Sequence, residues 1–243
     1  MRRFGLIGKD ISYSFSPGYF REKFRELGLE DCVYEIYDLP GIPAFPGLLE
    51  RYQDLRGLNV TIPYKEVVIP YLDTLDKQAQ EIGAVNTIRF SENGLKGYNT
   101  DLTGFRESLR PLLREADKAA LILGTGGASK AVAYGLRQLD ISFRFVSRRP
   151  GNGQLAYKDL NAEALKQYQI LVNCTPLGTY PAVAEAPSLP YNAVDSSHLL
   201  YDLIYNPAET TFLKRGRERG ARTKNGLEML QLQAEASWKI WNA

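Results

Sequence analysis

The chain has few of the residues that form metal centres and disulfides. Its 243 residues include one histidine, His198, and two cysteines, Cys32 and Cys174. A single histidine excludes histidine-cluster metal sites and disfavours a catalytic pair centred on histidine. In its Ser-Ser-His segment, His198 is expected to be solvated. The cysteines lie far apart in strand-like segments, so we expect buried thiols in a reducing compartment, and neither a disulfide nor a metal site.

The chain also lacks a strong charge imbalance and a long apolar run. Its net charge is +2, which gives no reason to expect a nucleic-acid groove or a basic membrane-binding surface. No apolar run approaches the roughly 18 residues that a membrane span needs, and the apolar run within residues 1–8 is too short for a signal peptide. We therefore expect no nucleic-acid or membrane partner. We also expect a cytoplasmic protein with a small-molecule partner, as a monomer or homodimer, although charge and hydropathy do not decide the oligomeric state.

Hydrophobic residues make up 44% of the chain and charged residues 24%, as in globular proteins of one large domain or two smaller ones. In the first hundred residues, runs rich in β-branched and aromatic residues predict strands, and Asn93-Gly94 predicts a hairpin turn. The pattern predicts a mixed α/β unit with antiparallel strands at one side. The expected strands cover 3–8, 32–38, 57–61, 83–90 and 95–99.

The loop after the first predicted strand carries several hydroxyl groups. Ser16 is expected to be the N-cap of a helix that begins at Pro17, and by themselves these serines are ordinary turn residues. Because Ser14 and Ser16 follow the end of a strand, where ligands often lie in α/β folds, they are also candidate ligand contacts. The helix is expected to bury Phe20, Phe24 and Leu27 along one face.

The segment from Asn59 to Lys65 is predicted to end a strand and to begin a helix at Pro63, because proline fits the first helical turn. That geometry would place Asn59, Thr61 and Lys65 at one lip, with two polar side chains and an amine at a strand end. Taken alone, the segment is slightly better explained as an ordinary strand-to-helix turn with a solvated lysine. Asp101, which opens the next predicted helix, is by itself a good N-cap.

The second half of the chain contains a glycine-rich turn. A short apolar strand over 119–123 is followed by Gly124, Gly126, Gly127 and Ala128, and then by a helix running to Leu139. Such glycines let the backbone turn tightly and approach a pyrophosphate, whose charge is stabilised by the helix N-terminus. The third fingerprint position holds Ser129 instead of glycine or alanine. A glycine turn placed between a strand and a helix is moderate evidence for a dinucleotide site.

The end of the next predicted strand, 142–146, distinguishes between two dinucleotides. An NAD site needs an acidic residue there for the ribose 2′-hydroxyl. The chain instead has Ser147, Arg148 and Arg149, whose hydroxyl and guanidinium groups suit a 2′-phosphate. A charge-assisted hydrogen bond contributes roughly 1.5–3 kcal/mol, enough for a preference of tenfold or more. We therefore favour NADP over a solvated basic turn.

Further strands over 169–174, 199–204 and 222–224 alternate with helices over 210–220 and 226–241. This alternation, with the glycine turn, predicts a doubly wound parallel domain, so the earlier unit is expected to hold the substrate. The expected bounds are 1–101 with 226–243 for the substrate-binding domain, and 102–225 for the Rossmann-like NADP-binding domain.

A series of short motifs occurs in a fixed order. They are Ser14-Phe15-Ser16-Pro17, Asn59-Val60-Thr61-Ile62-Pro63-Tyr64-Lys65, Gly83-Ala84-Val85-Asn86-Thr87, Gly97-Tyr98-Asn99-Thr100-Asp101, Gly124-Thr125-Gly126-Gly127-Ala128, Asn173-Cys174-Thr175-Pro176-Leu177-Gly178, Asp202 through Pro207, and Gly226-Leu227-Glu228-Met229-Leu230 with Gln233. Each motif is weak alone. The ordered set resembles the shikimate dehydrogenase family over essentially the whole chain.

The resemblance implies NADPH-dependent reduction of 3-dehydroshikimate to shikimate in aromatic amino acid (chorismate) biosynthesis. It implies that Lys65 and Asp101 are the catalytic pair. The substrate contacts that it implies are Ser14, Ser16 and Tyr205 for a carboxylate, and Thr61, Asn86 and Gln233 for ring hydroxyls. The cofactor contacts that it adds to the glycine turn and to Ser147, Arg148 and Arg149 are Thr175, Gly226 and Met229.

Two alternatives remain open at this stage. One is a paralogue that acts on quinate or an amino-shikimate and that could use NAD; the other is a non-catalytic dinucleotide sensor on the same fold. The intact Lys65 and Asp101 argue against the sensor. The chain departs from the common family pattern at Tyr13, often histidine, and at Ser147-Arg148-Arg149, commonly Asn-Arg-Thr, and it is compact for the family.

Overall fold

A computed structural model describes residues 1–12 and 14–243 of the chain. The family departure at Tyr13 lies outside the described residues. The backbone divides into two compact units, which we call the first unit, Met1–Thr100 with Ala234–Ala243, and the second unit, Asp101–Gln233. The expected domains differ from these units mainly in assigning 226–233 to the substrate domain. As functional domains, they stay a prediction.

The first unit is a mixed sheet with helices packed against it. Its sheet order is β2-β1-β3-β5-β6-β4. The apolar residues of the central strands form its core with Phe45 and Val68. The strands are β1 (Arg2–Gly8), β2 (Cys32–Asp38), β3 (Leu55–Val60), β4 (Thr74–Leu75), β5 (Thr87–Ser91) and β6 (Gly94–Tyr98); the helices are α1 (Ser16–Glu26), α2 (Phe45–Arg51) and α3 (Lys77–Ile82).

The direction of these strands decides which loops lie together. β1 runs parallel to β2 and β3, whereas β5 runs antiparallel to β3 and β6. The order reverses between β1 and β3, which makes that edge a topological switch point. The mixed α/β unit with antiparallel strands at one side, expected from the sequence, is confirmed. Gly94, at the hairpin turn, has a φ of 94°, a conformation that favours glycine.

The helix expected from Pro63 is absent from the described residues that follow β3. Those residues form turns and a short 3-10 helix, Ile69–Tyr71. The amide of Lys9 donates to the Ile62 carbonyl at 3.2 Å, and the Tyr64 amide donates to the Thr61 carbonyl at 2.8 Å. In a helix that begins at Pro63, the Ile62 carbonyl would accept a hydrogen bond from the first helical turn, but here it accepts the Lys9 amide. The prediction of a helix was therefore wrong.

The start of α1 also differs from the prediction. Ser16 is the first helical residue, and the cap position belongs to Phe15, whose side chain has no hydrogen-bonding group. The Ser16 amide lies 3.4 Å from Ser14 Oγ, so Ser14 supplies the hydroxyl that the sequence assigned to Ser16. Phe20 and Phe24 are buried as expected, but Leu27 is 52% exposed, because the helix ends at Glu26.

The last helix, α8 (Leu227–Trp241), contributes its final turns to the first unit. Trp241 stacks on Phe4 with ring centroids 5.0 Å apart and donates its indole N–H to the Ile88 carbonyl at 3.0 Å. A Cβ at Gly57 would lie 2.2 Å from the Trp241 ring. Glycine in the middle of β3 is therefore required by the close approach of the indole.

The second unit is a doubly wound parallel sheet of order β12-β11-β10-β7-β8-β9. All neighbouring strands are parallel, so the Rossmann-type arrangement expected from the sequence is confirmed. Its strands are β7 (Ala119–Leu123), β8 (Ser142–Ser147), β9 (Leu155–Ala156), β10 (Ile170–Asn173), β11 (Leu199–Asp202) and β12 (Arg222–Lys224); its helices are α4 (Asp101–Leu109), α5 (Gly127–Gln138), α6 (Ala162–Lys166), α7 (Thr211–Arg217) and the start of α8.

His198 is not solvated, so that expectation was wrong. Its ring is 2% exposed, and Nδ1 lies 2.9 Å from the Asp195 carboxylate and 3.2 Å from the Asp195 amide. The ring packs in the second unit just before β11, where it closes a short turn. Both cysteines are free; Cys32 is buried, and Cys174 is half-buried.

Within residues 1–12 and 14–243, no helix combines the length and the apolar content that crossing a membrane would require. In the same part of the chain, no group of three or more histidine, cysteine, aspartate or glutamate side chains is arranged to hold a metal ion.

Candidate functional site

The switch point of the first sheet gathers the loops that carry the predicted substrate contacts. β1 and β3 end at the same edge, and Thr61 follows β3 directly, its amide donating to the Ile7 carbonyl at 2.9 Å. β5 begins at that edge because it is antiparallel to β3, with Thr87 opposite Asn59. The loops that begin at Gly8 and Thr61, and the residue Asn86, therefore meet at one edge.

Lys65 is held at this edge through its backbone. Its carbonyl accepts the Val85 amide at 2.7 Å, so the turn after β3 is tied to the residue that precedes Asn86. Tyr64, its neighbour, is buried and donates its hydroxyl to the Leu39 carbonyl at 2.6 Å. The lysine stem is half-buried. The structure thus fixes the position of the Lys65 backbone relative to Asn86 without the helix that the sequence predicted.

Asn86 lies in a buried network of neutral hydrogen-bonding groups. Its Oδ1 accepts the Thr100 amide at 2.6 Å, and its Nδ2 donates to Thr100 Oγ1 at 2.9 Å. The Thr87 hydroxyl lies 3.1 Å from the same Oδ1. Because the Thr100 amide can only donate, the oxygen side of the Asn86 amide is identified, and its orientation is fixed.

Asn59 belongs to this network and is buried, so its predicted place at one lip with Thr61 and Lys65 was wrong. Its Nδ2 donates to the Asn86 carbonyl and to Thr87 Oγ1, each at 3.3 Å, and to Ser237 Oγ at 3.0 Å. Tyr34 donates to its Oδ1 at 2.8 Å. Alternation along β3 turns Asn59 to the face opposite that of Leu58 and Val60, where the polar groups of α8 and β5 satisfy it.

The remaining predicted substrate-side residues belong to the second unit. Asp101 is the first residue of α4 and is 7% exposed. A carboxylate in the first turn interacts favourably with the helix dipole. Tyr205 follows β11 and is half-buried, and Gln233 is buried beside Gly104, where a Cβ would lie 3.2 Å from the Gln233 Cβ. The roles of these residues toward a substrate stay a prediction.

The glycine turn of the second unit has the shape expected of a phosphate-binding loop. Gly124 has a φ of 106°, and its amide donates to the Val146 carbonyl at 2.9 Å. A Cβ placed on Gly126 would meet no described atom within 4 Å, so the backbone there faces open space. Ser129, the departure from the fingerprint, is buried and donates its hydroxyl to the Gly126 carbonyl at 2.6 Å. This hydrogen bond stabilises the turn on its buried side.

Thr175 lies next to this turn because β10 pairs with β7. The order of the parallel sheet reverses between these two strands, which is where ligands bind in doubly wound folds. A Cβ on Gly124 would lie 3.2 Å from Thr175 Cγ2. The Thr175 hydroxyl donates to Asn173 Oδ1 at 2.7 Å. The structure thus brings Gly124 and Thr175 together at the switch point.

The basic turn after β8 is beside the glycine turn, since Val146 is paired with Leu123. The Ser147 hydroxyl accepts the Arg149 amide at 3.2 Å, which closes the turn. Arg148 and Arg149 are exposed. Open space at Gly126, amides at the start of a helix of 12 residues and two exposed guanidinium groups fit a dinucleotide with a 2′-phosphate. The residues present therefore fit NADP.

Gly226 and Met229 belong to neither the glycine turn nor the basic turn, and each has structural contacts of its own. A Cβ on Gly226 would lie 2.1 Å from the Leu203 carbonyl oxygen, so the position requires glycine. The Gly226 amide donates to the Ile204 carbonyl at 3.0 Å. Met229 is buried in the same hydrophobic cluster as Phe105. The close approach of the Leu203 backbone thus explains why residue 226 is glycine. A contact of Gly226 or Met229 with the cofactor stays a prediction.

A buried carboxylate that the sequence reasoning assigned no role organises the ends of β10 and β11. Asp202 is fully buried and accepts hydrogen bonds from Asn173 Nδ2 at 3.0 Å, the Ile204 amide at 3.0 Å and Thr210 Oγ1 at 2.6 Å. Burial raises its pKa from 3.8 to about 6, against the opposing effect of these hydrogen bonds. Because Asn173 in turn holds Thr175, Asp202 supports the loop that carries a predicted cofactor contact.

Ser237 was also missed, although the sequence carried a signal. It lies four residues after Gln233, so both are on one face of α8. Asp202 carried a signal too, because a charged residue at the end of an apolar strand must be satisfied by partners.

A groove of about 520 Å³ lies beside α1 and β2 and is lined in part by Phe24, Cys32 and Tyr34. It contains none of the predicted site residues.

Comparison with known proteins gives the family. Residues 6–88 match the family model of the shikimate dehydrogenase substrate binding domain. The chain is 37% identical to a shikimate dehydrogenase (NADP(+)) of Caldanaerobacter subterraneus, over 98% of this chain and 90% of the relative.

Two solved structures share the fold across nearly the full length. One is a Thermus thermophilus shikimate 5-dehydrogenase in complex with NADP(H) and shikimate, with a TM-score of 0.88, 34% identity and coverage of 99% and 93% of the two chains. The other is a Corynebacterium glutamicum quinate dehydrogenase in complex with NAD, with a TM-score of 0.87, 26% identity and the same coverage. From the sequence identity over nearly its whole length, the chain belongs to the shikimate dehydrogenase family.

Proposed function

We propose that this protein is an NADP-dependent shikimate dehydrogenase, which reduces 3-dehydroshikimate to shikimate in aromatic amino acid biosynthesis. The observation that carries the proposal is the glycine turn beside the exposed Arg148 and Arg149 at the switch point of the second sheet, in a chain of this family. NADPH, when bound, supplies the hydride that reduces the ketone. The protein must supply the proton and hold the substrate.

Lys65 and Asp101 are the residues proposed to handle the proton. Reduction of a ketone develops negative charge on its oxygen, so an ammonium group at Lys65 Nζ is a suitable donor to that oxygen. The Asp101 carboxylate, which lies at the start of α4, is proposed to hold the ammonium in place and to help relay the proton. A positioned general acid of this kind contributes about 10²- to 10⁴-fold in rate.

The proposed substrate contacts are those that the family resemblance implies, and their polar groups suit a polyhydroxylated acid. The hydroxyls of Ser14, Ser16 and Tyr205 are proposed to bind the carboxylate, while Thr61, Asn86 and Gln233 are proposed to bind ring hydroxyls. Asn86 is already oriented by Thr100, so part of the cost of ordering a polar contact is met before substrate arrives. A site built from such groups rejects analogues that lack a hydroxyl.

Quinate is the second candidate substrate, because one similar solved structure is a quinate dehydrogenase in complex with NAD. The exposed Arg148 and Arg149 favour the 2′-phosphate of NADP, since the turn offers no carboxylate for a ribose 2′-hydroxyl. The relative at 37% identity is a shikimate dehydrogenase (NADP(+)). A cytoplasmic location and a monomeric or homodimeric state are parts of the same proposal.

A steady-state assay tests this proposal directly. Shikimate and quinate would each be supplied with NADP or NAD, and the formation of reduced nicotinamide would be followed. Preference for shikimate with NADP supports both the substrate and the cofactor assignments. Turnover mainly with quinate or with NAD would overturn one of them, and inactivity in all four combinations would favour a non-catalytic dinucleotide sensor.

Replacing Lys65 by alanine tests the proton-donor role. We expect kcat to fall by about 10²- to 10⁴-fold with little change in binding of shikimate, because the general acid is lost. Lys9→Ala is a matched control, since Lys9 is an exposed lysine at the end of β1. Binding would be measured by calorimetry. Equal kcat in the Lys65→Ala variant and the wild type would remove Lys65 from the proposed mechanism.

A further inference from the structure

One hydroxyl of α8 reaches into the buried network around Asn86. Ser237 is fully buried, and its Oγ lies 3.0 Å from Asn59 Nδ2, 2.8 Å from Thr87 Oγ1 and 3.1 Å from Thr100 Oγ1. These partners come from β3, from β5 and from the loop after β6. A single side chain of the C-terminal helix therefore joins three separate segments of the first unit.

The donors in this network can be assigned from chemistry. Tyr34 donates to Asn59 Oδ1 at 2.8 Å, because a carbonyl oxygen can only accept. That contact turns Asn59 Nδ2 toward Ser237, whose oxygen must accept from it. The Ser237 hydroxyl also lies within hydrogen-bond distance of the Thr87 and Thr100 hydroxyls, and either partner can be the donor in these contacts. A hydroxyl at this position completes a chain of hydrogen bonds that no apolar side chain could continue.

The chain of hydrogen bonds reaches Asn86. Thr100 Oγ1 is shared between Ser237 and Asn86 Nδ2, the latter at 2.9 Å, and the Thr100 amide donates to Asn86 Oδ1 at 2.6 Å. The position of Ser237 therefore bears on the orientation of the Asn86 amide and on the backbone of Thr100. Thr100 is also the residue that precedes Asp101 in the chain.

We propose that Ser237 is a positioning residue for substrate binding: through Thr87 and Thr100 it holds the Asn86 amide in the orientation that a substrate hydroxyl requires. The inference rests on the proposed function, because it takes Asn86 as a contact of the substrate. It adds to the site a second residue of α8, one helical turn after Gln233. Ser237 acts on shikimate only through Asn86, so its loss should weaken substrate binding and leave cofactor binding unchanged.

Ser237→Ala and a matched control variant, Ser108→Ala, test the proposal. Ser108 is another fully buried helical serine; its hydroxyl lies 2.6 Å from the Gly104 carbonyl oxygen and 2.6 Å from the Tyr201 hydroxyl. We expect Ser237→Ala to raise KM for shikimate about 3- to 10-fold, the equivalent of one net hydrogen bond. KM for NADP should stay within about twofold, and Ser108→Ala should leave both values unchanged on the same scale.

A second measurement does not depend on activity. The exchange rate of the Thr100 amide proton, followed by NMR in the ligand-free protein, should rise in Ser237→Ala and not in Ser108→Ala. Thr87→Val provides an independent variant, because it removes a different hydroxyl of the same network while keeping the side-chain shape. It should reproduce the selective rise in KM for shikimate.

Each possible result contradicts a different part of the proposal. An equal rise in KM for both substrates, or a loss of thermal stability alone, as expected of any buried serine, would overturn the positioning role. An unchanged exchange rate at Thr100 would overturn the proposed link between Ser237 and Asn86. Absence of shikimate turnover in the wild type would refute the proposed function instead, while the Thr100 exchange rates would still decide whether Ser237 holds this network.

Discussion

The two units secure the loops at their switch points with different chemistry. In the first unit, the hydrogen bonds described around Asn86 join amides and hydroxyls of Asn59, Thr87, Thr100 and Ser237. In the second unit, the corresponding cluster is centred on the carboxylate of Asp202. Both clusters are buried, and both support a residue predicted to bind a ligand, Asn86 in one case and Thr175 in the other.

The difference lies in what burial does to each cluster. Neutral groups need only hydrogen-bond partners, and they keep the same charge at every pH of interest. A carboxylate also loses its hydration, which explains why the pKa of Asp202 is raised to about 6 although it accepts three hydrogen bonds. We therefore expect the cluster around Asp202 to respond to pH more strongly than the cluster around Asn86.

Introducing a charge into the neutral cluster should have the largest effect. Asn59→Asp would place a carboxylate against the Asn86 carbonyl, which now accepts from Asn59 Nδ2 at 3.3 Å. We expect a loss of about 3–5 kcal/mol in the free energy of unfolding at pH 8, because the hydrogen-bond partners described for the Asn59 side chain are all neutral. Urea denaturation measures this loss.

A control for that variant is Asn152→Asp, since Asn152 is exposed and its substitution should change the free energy of unfolding by less than about 0.5 kcal/mol. The penalty of Asn59→Asp should shrink as pH falls, because protonation removes the buried charge. If the two variants unfold at the same urea concentration at pH 8, the neutral cluster tolerates charge, and the contrast between the units is wrong.

Removing the charge from the cluster around Asp202 should have the next largest effect. Because the folded-state pKa of Asp202 is raised from 3.8 to about 6, folded protein holds a proton that unfolded protein releases between those values. The contribution of Asp202 to stability therefore decreases as pH rises from about 4 to about 6, by about 3 kcal/mol in total. Asp202→Asn keeps the shape and abolishes this contribution.

The measurement is the difference in the free energy of unfolding between Asp202→Asn and the wild type at several pH values. Other titrating groups cancel in this difference. It should move in favour of the variant by about 3 kcal/mol between pH 4 and pH 7. A difference that is constant with pH would mean that Asp202 titrates normally and that its burial does not perturb it.

The smallest effect expected is at Thr210, which joins the carboxylate to α7. Its hydroxyl donates to Asp202 Oδ2 at 2.6 Å and accepts the Leu213 amide at 3.3 Å as the N-cap of α7. Thr210→Ala should cost about 1–2 kcal/mol of stability and raise the pKa of Asp202 further. Thr210→Ser keeps the hydroxyl and should lose much less. Equal losses in both variants would assign the effect to the methyl group.

Local patterns predicted much of the second unit. The apolar run Ala119–Leu123 and the short strand Arg222–Lys224 have the bounds expected from the sequence, and the helix expected from residue 210 begins at Thr211. A strand of a parallel sheet that is buried on both faces is apolar at every position, so it can be recognised as a strand from its own residues. The glycine turn was recognised for the same reason, since its backbone requirements are local.

The residues after β3 and at the start of α1 could not be predicted in the same way. The turn around Pro63 is held by Lys9, and Ser14 takes the role expected of Ser16. A proline after a strand is compatible with either a helix or a turn. The choice depends on hydrogen bonds to segments that are close only after the sheet has formed.

The sequence by itself determined the types of chemistry that this protein carries: a glycine turn followed by arginines, a lysine and an aspartate at element ends, and the order of motifs that places it in its family. The tertiary structure alone decided which polar residues are buried. Asn59 and His198 are inside, although nothing in their local sequence requires it. The physical reason is that a polar side chain can be buried only where partners satisfy it, and here those partners include residues far away along the chain.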